Sequence, residues 1–397
     1  MIELIKKIKK IETNDLKSII LIFLAILPSF FLKLKKRNIW CLVERLDSAD
    51  DNGWIFFQWL KQNHPERTFY FIINKNVDKY NRKDSHIIPW GSFSHYIIYL
   101  ASNIHIRTTF MTTRPNIRIC SYFELVFGHK YKTVYLRHGI SKDGLELHRY
   151  SVQKVRLFIC GAKPEYDYIN AHGGYPKGYV QYTGFARFDE LLEKCTSQNF
   201  ILLLPTWRRY LFNPTKCQQD NEKIFLQSLF FQQYQSFIQN ENFNDFLKKN
   251  NLKLIFCMHP EFNRYKHLFK LTNTNITIVK SNEVSIHQLL IKTSLLITDY
   301  SSVFFDAAYM LKPIIFYHFD YDQFRSKHFS EGYFSYDKDG MGPIVKAEAD
   351  LIFNIKCLFK NGSFINPDFY INRCLKFFPK RDKHNCERIY NEIIKIQ

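Results

Sequence analysis

The run Leu295-Leu296-Ile297-Thr298-Asp299-Tyr300-Ser301-Ser302-Val303-Phe304-Phe305-Asp306 ends an apolar strand in a cluster of small hydroxyl residues. A helix-like pattern (Phe304, Ala307, Ala308, Met310, Leu311) begins directly behind it. Unpaired N–H groups at a helix start carry roughly half a positive charge. The hydroxyls of Ser301 and Ser302, with the amides behind them, can therefore seat a diphosphate. The competing reading gives Asp299 or Ser301 the simpler task of capping a helix.

Three other strand ends carry reactive side chains. Tyr135-Leu136-Arg137-His138-Gly139-Ile140-Ser141-Lys142-Asp143 delivers His138 to a turn kept tight by Gly139. An imidazole there suits a general base, its unperturbed pKa being near 6.5; the alternative is a loop histidine bonded to backbone. Leu204-Pro205-Thr206-Trp207-Arg208-Arg209 offers a hydroxyl, an aromatic face and guanidinium groups. Arg208 could neutralise phosphate with a fork that lysine cannot copy, or lie on the surface stacked on Trp207. Cys257-Met258-His259-Pro260 supplies a second histidine that would face the first across a cleft. A further segment, His328-Phe329-Ser330-Glu331-Gly332-Tyr333-Phe334 with Gly340-Met341-Gly342-Pro343 beyond it, reads as a loop approaching a ligand or as an ordinary turn. No Walker-type loop and no G-x-G-x-x-G is present, so P-loop hydrolysis and dinucleotide redox chemistry lack their usual cradle.

The elements that must position these groups alternate in a βαβ rhythm. Apolar stretches at 39–43, 68–73, 96–101, 104–107 and 133–136, with a helix around 54–62, make a first series. A second series has strands at 201–204, 253–258, 276–279, 295–298 and 313–317, a long helical stretch over about 221–250 and a helix over 286–291. Two doubly wound α/β domains are expected, with ligands in the cleft beyond the carboxyl ends of the strands. The expected division is a membrane-associating segment over 1–37, a first Rossmann-like domain over 38–190 and a second over 191–397. The join falls near 184–199, and a last basic helix (about 385–394) is expected to pack back.

The 397 residues suit two domains, and 46% hydrophobic content supplies cores for both. A net charge of +19 predicts attraction to nucleic acid, anionic lipid or a phosphate-rich substrate. The basic residues form no concentrated stripe or known nucleic-acid motif, which argues against a nucleic-acid partner. Nine scattered cysteines show neither zinc-ligand spacing nor a disulfide framework, and fit a reducing cytosol. Ile19 to Leu32 is nearly continuously apolar, flanked by Lys6, Lys7, Lys9 and Lys10 before and Lys33, Lys35, Lys36 and Arg37 after. It reads as too short to span a bilayer, which takes about 20 apolar residues; Pro28 interrupts it, and no small-residue cleavage site follows. An interfacial anchor on anionic head groups is expected, the alternative being a buried helix of the first domain.

Together the motifs resemble the CDP-glycerol glycerophosphotransferases, which include teichoic acid primases and polymerases and capsule polyol-phosphate transferases. The resemblance runs from about Trp40 to Tyr390. It rests on Glu44-Arg45 with Ala49-Asp50-Asp51-Asn52-Gly53, His138-Gly139 with Lys142-Asp143, Thr183-Gly184-Phe185-Ala186-Arg187-Phe188-Asp189, Pro205-Thr206-Trp207-Arg208, His259-Pro260, Ile297-Thr298-Asp299-Tyr300-Ser301-Ser302 with Phe305-Asp306, and Gly332-Tyr333-Phe334. It implies a GT-B fold and attack of an acceptor hydroxyl on the β-phosphate of CDP-glycerol, expelling CMP, at the cytoplasmic face of the membrane. By this resemblance His138 and His259 are the catalytic pair, as base and as stabiliser of the transferring phosphate. Thr206, Arg208, Ser301 and Ser302 would hold the nucleotide diphosphate. Gly139, Lys142, Asp143, Thr298, Asp299, Asp306, Glu331 and Gly332 complete the implied substrate-binding set. No resident cofactor or metal ligand is implied, and the acceptor would be lipid-linked or polymeric. Ala186 replaces the family's usual proline. Ser294, Ser285 and Gln288 stand at or near places where acidic residues are common, which keeps CDP-ribitol open as donor. A GT-B glycosyltransferase with a nucleotide-sugar donor is the alternative enzyme.

Overall fold

The computed structural model describes residues 12–110, 112–327 and 331–397. Lys6, Lys7, Lys9 and Lys10, and the His328-Phe329-Ser330 part of the loop motif, lie outside the described residues.

Two all-parallel sheets organise the chain. The first joins β1 (Trp40–Val43), β2 (Phe69–Ile73), β3 (Ile87–Pro89), β4 (Ile104–Arg107), β5 (Lys132–Tyr135), β6 (Leu157–Cys160) and β7 (Val180–Tyr182) in the order β3-β2-β1-β4-β5-β6-β7. The second joins β8 (Phe200–Leu204), β9 (Lys253–Met258), β10 (Ile276–Lys280), β11 (Leu295–Thr298), β12 (Ile314–Tyr317) and β13 (Ile344–Val345) in the order β10-β9-β8-β11-β12-β13. β1, β6, β8, β11 and β12 are buried along their whole length. Such strands read as continuous apolar runs because helices cover both faces of the sheet. The strand order reverses between β1 and β4 and again between β8 and β11, so both switch points open a crevice at the strands' carboxyl ends.

The 221–250 stretch departs from expectation. It is three helices, Gln218–Leu226, Leu229–Gln239 and Glu241–Lys249. Ser228 Oγ accepts the Phe231 N–H and Asn240 Oδ1 accepts the Phe243 N–H. Each polar side chain thus starts a new helix instead of continuing the old one. The strands β3, β6, β7 and β13, which the sequence reading omitted, are only two to four residues long.

The chain passes between the sheets through the Arg187–Lys194 helix, and one apolar core crosses with it. Phe188 stacks on Tyr309 at 4.0 Å and packs edge-on against Phe378. The Asn385–Lys395 helix returns to the first domain, where Tyr390 stacks on His64 at 3.7 Å and meets Trp40 and Arg67.

Thr13–Lys35 forms one 23-residue helix that continues through Pro28. It is therefore longer than its apolar run suggested, and it is the one helix among the described residues long and apolar enough to cross a membrane. Ile22, Ala25 and Ser29 pack inward, while Leu24, Leu27, Phe31 and Leu34 face outward. Asp15 ties its start to the first domain through Arg118 and Asn116.

Candidate functional site

A cleft of about 420 Å³ lies between the carboxyl ends of the two sheets. From the sequence-based set it gathers His138, Gly139, His259, Ser301, Ser302 and Asp306; Arg45, Asp51 and Arg187 are among the other polar residues that line it. β5 delivers His138, β9 delivers His259 and β11 delivers the two serines.

The partners of each histidine fix its tautomer. His138 Nδ1 bonds Asp51 Oδ2, and its Nε2 lies 3.1 Å from Arg45 Nη2. Burial opposes ionisation of Asp51, but the His138 and Arg187 charges outweigh it and hold the carboxyl below its ordinary range. An ionised carboxylate only accepts and a guanidinium only donates. When neutral, His138 therefore carries its proton on Nδ1 and has its lone pair at Nε2, directed at Arg45, the tautomer a general base needs. His259 is the opposite case. Its Nδ1 accepts the Glu261 N–H at 3.2 Å, and the ring stacks on Trp207 at 5.8 Å. When neutral, it therefore carries the proton on Nε2, as a donor suited to phosphate oxygen.

Arg187 ties this site together. Its Nη1 donates to Asp51 Oδ1 at 3.0 Å and to the His138 carbonyl at 2.7 Å. Nε and Nη2 each reach an Asp306 carboxylate oxygen at 2.8 Å. One buried guanidinium thus joins the loop holding His138 to the turn beside Ser302 in the other domain. Glu44 splints the Asp51 loop by accepting the Asp50, Asp51 and Trp54 N–H groups. Burial and the Asp51 charge push its carboxyl above the ordinary range.

The helix behind the serines, Phe304–Tyr309, has six residues, and Ser301 Oγ accepts the Val303 N–H at 3.3 Å. This bond closes a turn ahead of the helix and is not a cap, because the N-cap residue is Val303 and no side chain caps it. With so short a helix, the attraction for anions rests on the serine hydroxyls, Arg45 and Arg187 more than on a macrodipole. A Cβ on Gly139 would stand 3.7 Å from Ser302 Oγ, an ordinary contact distance, so the turn bearing His138 lies directly against the serine turn of the other domain.

Several expected ligand contacts are corrected. Arg208 is neither in the cleft nor on the surface stacked on Trp207. Its side chain is fully buried, pairing with Asp320 through Nε (2.7 Å) and Nη2 (2.9 Å) and with Asp299 through Nη1 (2.9 Å), and its guanidinium carbon lies 4.9 Å from the Tyr300 ring centroid. Two carboxylates already compensate its charge. Asp299 is spent on Arg208 and on the Thr206 and Tyr300 amides. Thr298 Oγ1 donates to the Leu204 carbonyl, and the Thr206 hydroxyl is buried without a hydrogen-bond partner among the described residues. Lys142, Asp143, Glu331 and Gly332 form a clasp between the domains instead of lining the cleft. Lys142 Nζ and Arg325 both hold Asp143, which bridges to Glu331. A Cβ on Gly332 would collide with the Lys142 carbonyl. Ser294 sits at the amino end of β11, donating to the Phe200 carbonyl, on the side away from the cleft. Ser285, by contrast, reaches across to Asp50 at 3.3 Å. Asp51 and Arg187 were legible only as members of motifs, because their roles arise from contacts 87 and 119 positions apart in the chain.

The model of the CDP-Glycerol:Poly(glycerophosphate) glycerophosphotransferase family matches residues 165–395. The minor teichoic acid biosynthesis protein GgaB of Bacillus subtilis (strain 168) is 32% identical over 377 residues, which is 92% of this chain and 41% of that protein. The teichoic acid poly(ribitol-phosphate) polymerase of Bacillus spizizenii (strain ATCC 23059 / NRRL B-14472 / W23) is 34% identical over 110 residues, 28% of this chain and 16% of its own. The chain thus spans well under half the length of these two relatives. The structure of the wall teichoic acid polymerase TagF superposes with a TM-score of 0.65 at 17% identity, covering 90% of this chain and 88% of that one. That likeness establishes the fold.

Proposed function

The chain belongs to the CDP-glycerol:poly(glycerophosphate) glycerophosphotransferase family, and on that premise we propose that it transfers glycerol phosphate from CDP-glycerol to a membrane-linked acceptor hydroxyl in the synthesis of a teichoic acid or capsule-type polymer. The observation that carries this reading is the pair of opposed histidines with opposite tautomers in one cleft.

The acceptor oxygen forms a bond to the phosphorus that bears glycerol, and the bond from that phosphorus to the bridging oxygen breaks. CMP leaves with the bonding electrons, and the hydroxyl proton passes to His138 Nε2. Asp51 holds the resulting imidazolium. His259, through Nε2–H, steadies charge on the phosphoryl oxygens, and Ser301, Ser302 and Arg45 hold the diphosphate. Positioning and electrostatic stabilisation are what phosphoryl transfer chiefly demands. In this reading the enzyme works at the cytoplasmic face of the membrane, which is supported by the outward apolar face of Thr13–Lys35 and its basic flank.

CDP-ribitol is the second donor reading, favoured by the partial match to a poly(ribitol-phosphate) polymerase. CMP release from CDP-glycerol and CDP-ribitol, assayed in parallel with membranes as acceptor source, tests both. Turnover of one donor that disappears in His138→Ala supports the reading. If neither donor turns over while a nucleotide-sugar panel releases nucleoside diphosphate, the chain is a glycosyltransferase.

A further inference from the structure

The first domain contains a second cavity, of about 670 Å³, on the face of its sheet beside β4 and β5. Its lining is strongly cationic: Arg107, Arg114, Lys130 and Lys154 all contribute. Arg107 lies over the Tyr135 ring at 4.7 Å and donates to the Thr109 carbonyl and to Gln153, yet no carboxylate among the described residues is within ion-pair reach of it. Burial pushes its pKa down, as expected for a guanidinium lacking a counter-charge. The cavity's one carboxylate, Glu124, is already engaged. Arg114 holds both its oxygens at 2.8 and 2.7 Å, and the Tyr99 and Tyr131 hydroxyls donate to it as well. Lys130 and Lys154 are exposed and make no ion pair among the described residues.

The rim of this cavity turns apolar, and the apolar surface continues outward. Phe110 and Val152 line its edge. Glu124 belongs to the Ile117–Phe127 helix, whose next residues, Leu125, Val126 and Phe127, are 73%, 70% and 57% exposed. Phe127 meets Phe23 of the Thr13–Lys35 helix at 5.8 Å, which joins this patch to the outward face carrying Leu24, Leu27 and Phe31. An exposed apolar surface beside a cationic pocket matches an amphiphile with an anionic head. A soluble anion would have no use for the apolar half.

We propose that this pocket seats the phosphate head group of an anionic glycerophospholipid, whose acyl chains lie along the outward faces of the Ile117–Phe127 and Thr13–Lys35 helices. Lys130 and Lys154 meet the phosphodiester at the mouth, and Arg107 supplies the uncompensated charge beneath. The site is separate from the cleft of His138 and His259, and it stands whether or not the transfer reaction is the one proposed above.

The test is hydrogen exchange on the full chain, following peptides over residues 108–114 and 129–133, with dihexanoyl phosphatidylglycerol kept below its micelle threshold. Exchange in both peptides is expected to slow several-fold with this lipid. The slowing should be lost in Lys130→Glu/Lys154→Glu and retained in Lys248→Glu/Lys249→Glu, an equal charge change on an exposed helix of the second domain. Exchange elsewhere in the chain reports that both variants are folded. No slowing in the wild type, or equal slowing in the Lys130→Glu/Lys154→Glu variant, overturns the proposal. Equal slowing by inorganic phosphate at the same concentration, or by zwitterionic dihexanoyl phosphatidylcholine, overturns the anionic lipid as occupant. CMP release, measured separately, reports on the transfer reaction alone.

Discussion

His138 shows how little a histidine's own sequence context says about its chemistry: the ring is suited to act as the proposed base because Asp51 and Arg45 fix which nitrogen carries the proton. Replacing Asp51 by Asn should lower kcat by roughly ten- to a hundredfold, with the donor KM nearly unchanged. His138→Ala should cost about a hundredfold or more. Steady-state CMP release distinguishes the two, and a donor KM that rises as steeply as kcat falls would move Asp51 from orienting the base to binding substrate. Asp51 also makes stability pH-dependent. Its carboxyl is held below the ordinary value in the folded chain, so its contribution is present above about pH 3.9 and is lost as pH falls through the folded-state value. Urea midpoints at neutral and acid pH should therefore lie closer together in Asp51→Asn than in the wild type.

The elements decide which strand-end residues face the ligand. β8 and β11 are adjacent parallel strands, and the residues leaving their carboxyl ends divide into two sets. Ser301 and Ser302 turn into the cleft, whereas Arg208 and Asp299 turn into the domain and close on Asp320. The two sets should respond differently to substitution. Ser302→Ala should raise the donor KM in a protein of unchanged melting temperature. Arg208→Met removes the charge that two buried carboxylates require and should cost about 3–5 kcal/mol of stability. Calorimetry of both variants checks this. An Arg208→Met protein with native melting temperature and a raised donor KM would return Arg208 to the diphosphate site.

Across the whole molecule, ion pairs between the domains help to hold the cleft. Arg187 joins Asp51 and Asp306, while Lys142, Asp143, Arg325 and Glu331 clasp the domains from the other side. Among the described residues, the largest run of outward apolar residues lies on one helix, Thr13–Lys35. Leu24→Glu/Leu27→Glu/Phe31→Glu changes that outward face while sparing Ile22, Ala25 and Ser29, which pack inward. This variant should no longer sediment with anionic vesicles, and its circular dichroism should match the wild type. Unchanged sedimentation would remove the helix as an anchor.

The sequence alone was enough for the βαβ rhythm, the strand ends bearing His138, His259 and Ser301-Ser302, and the family resemblance, because each is written in contiguous residues whose periodicity or motif is local. It overran the helix at 221–250, where single capping side chains at Ser228 and Asn240 outweigh a continuous helical pattern. It also could not separate cleft residues from buried ones. Thr206, Arg208, Thr298 and Asp299 stand beside the serines in motif and strand end alike, yet the Asp320 carboxylate that engages Arg208 is 112 positions away. Only the tertiary structure brings Asp51 to His138, Arg187 to Asp306 and Asp320 to Arg208, because charge compensation in a buried site depends on which groups meet in space, and strand order sets that, not distance along the chain.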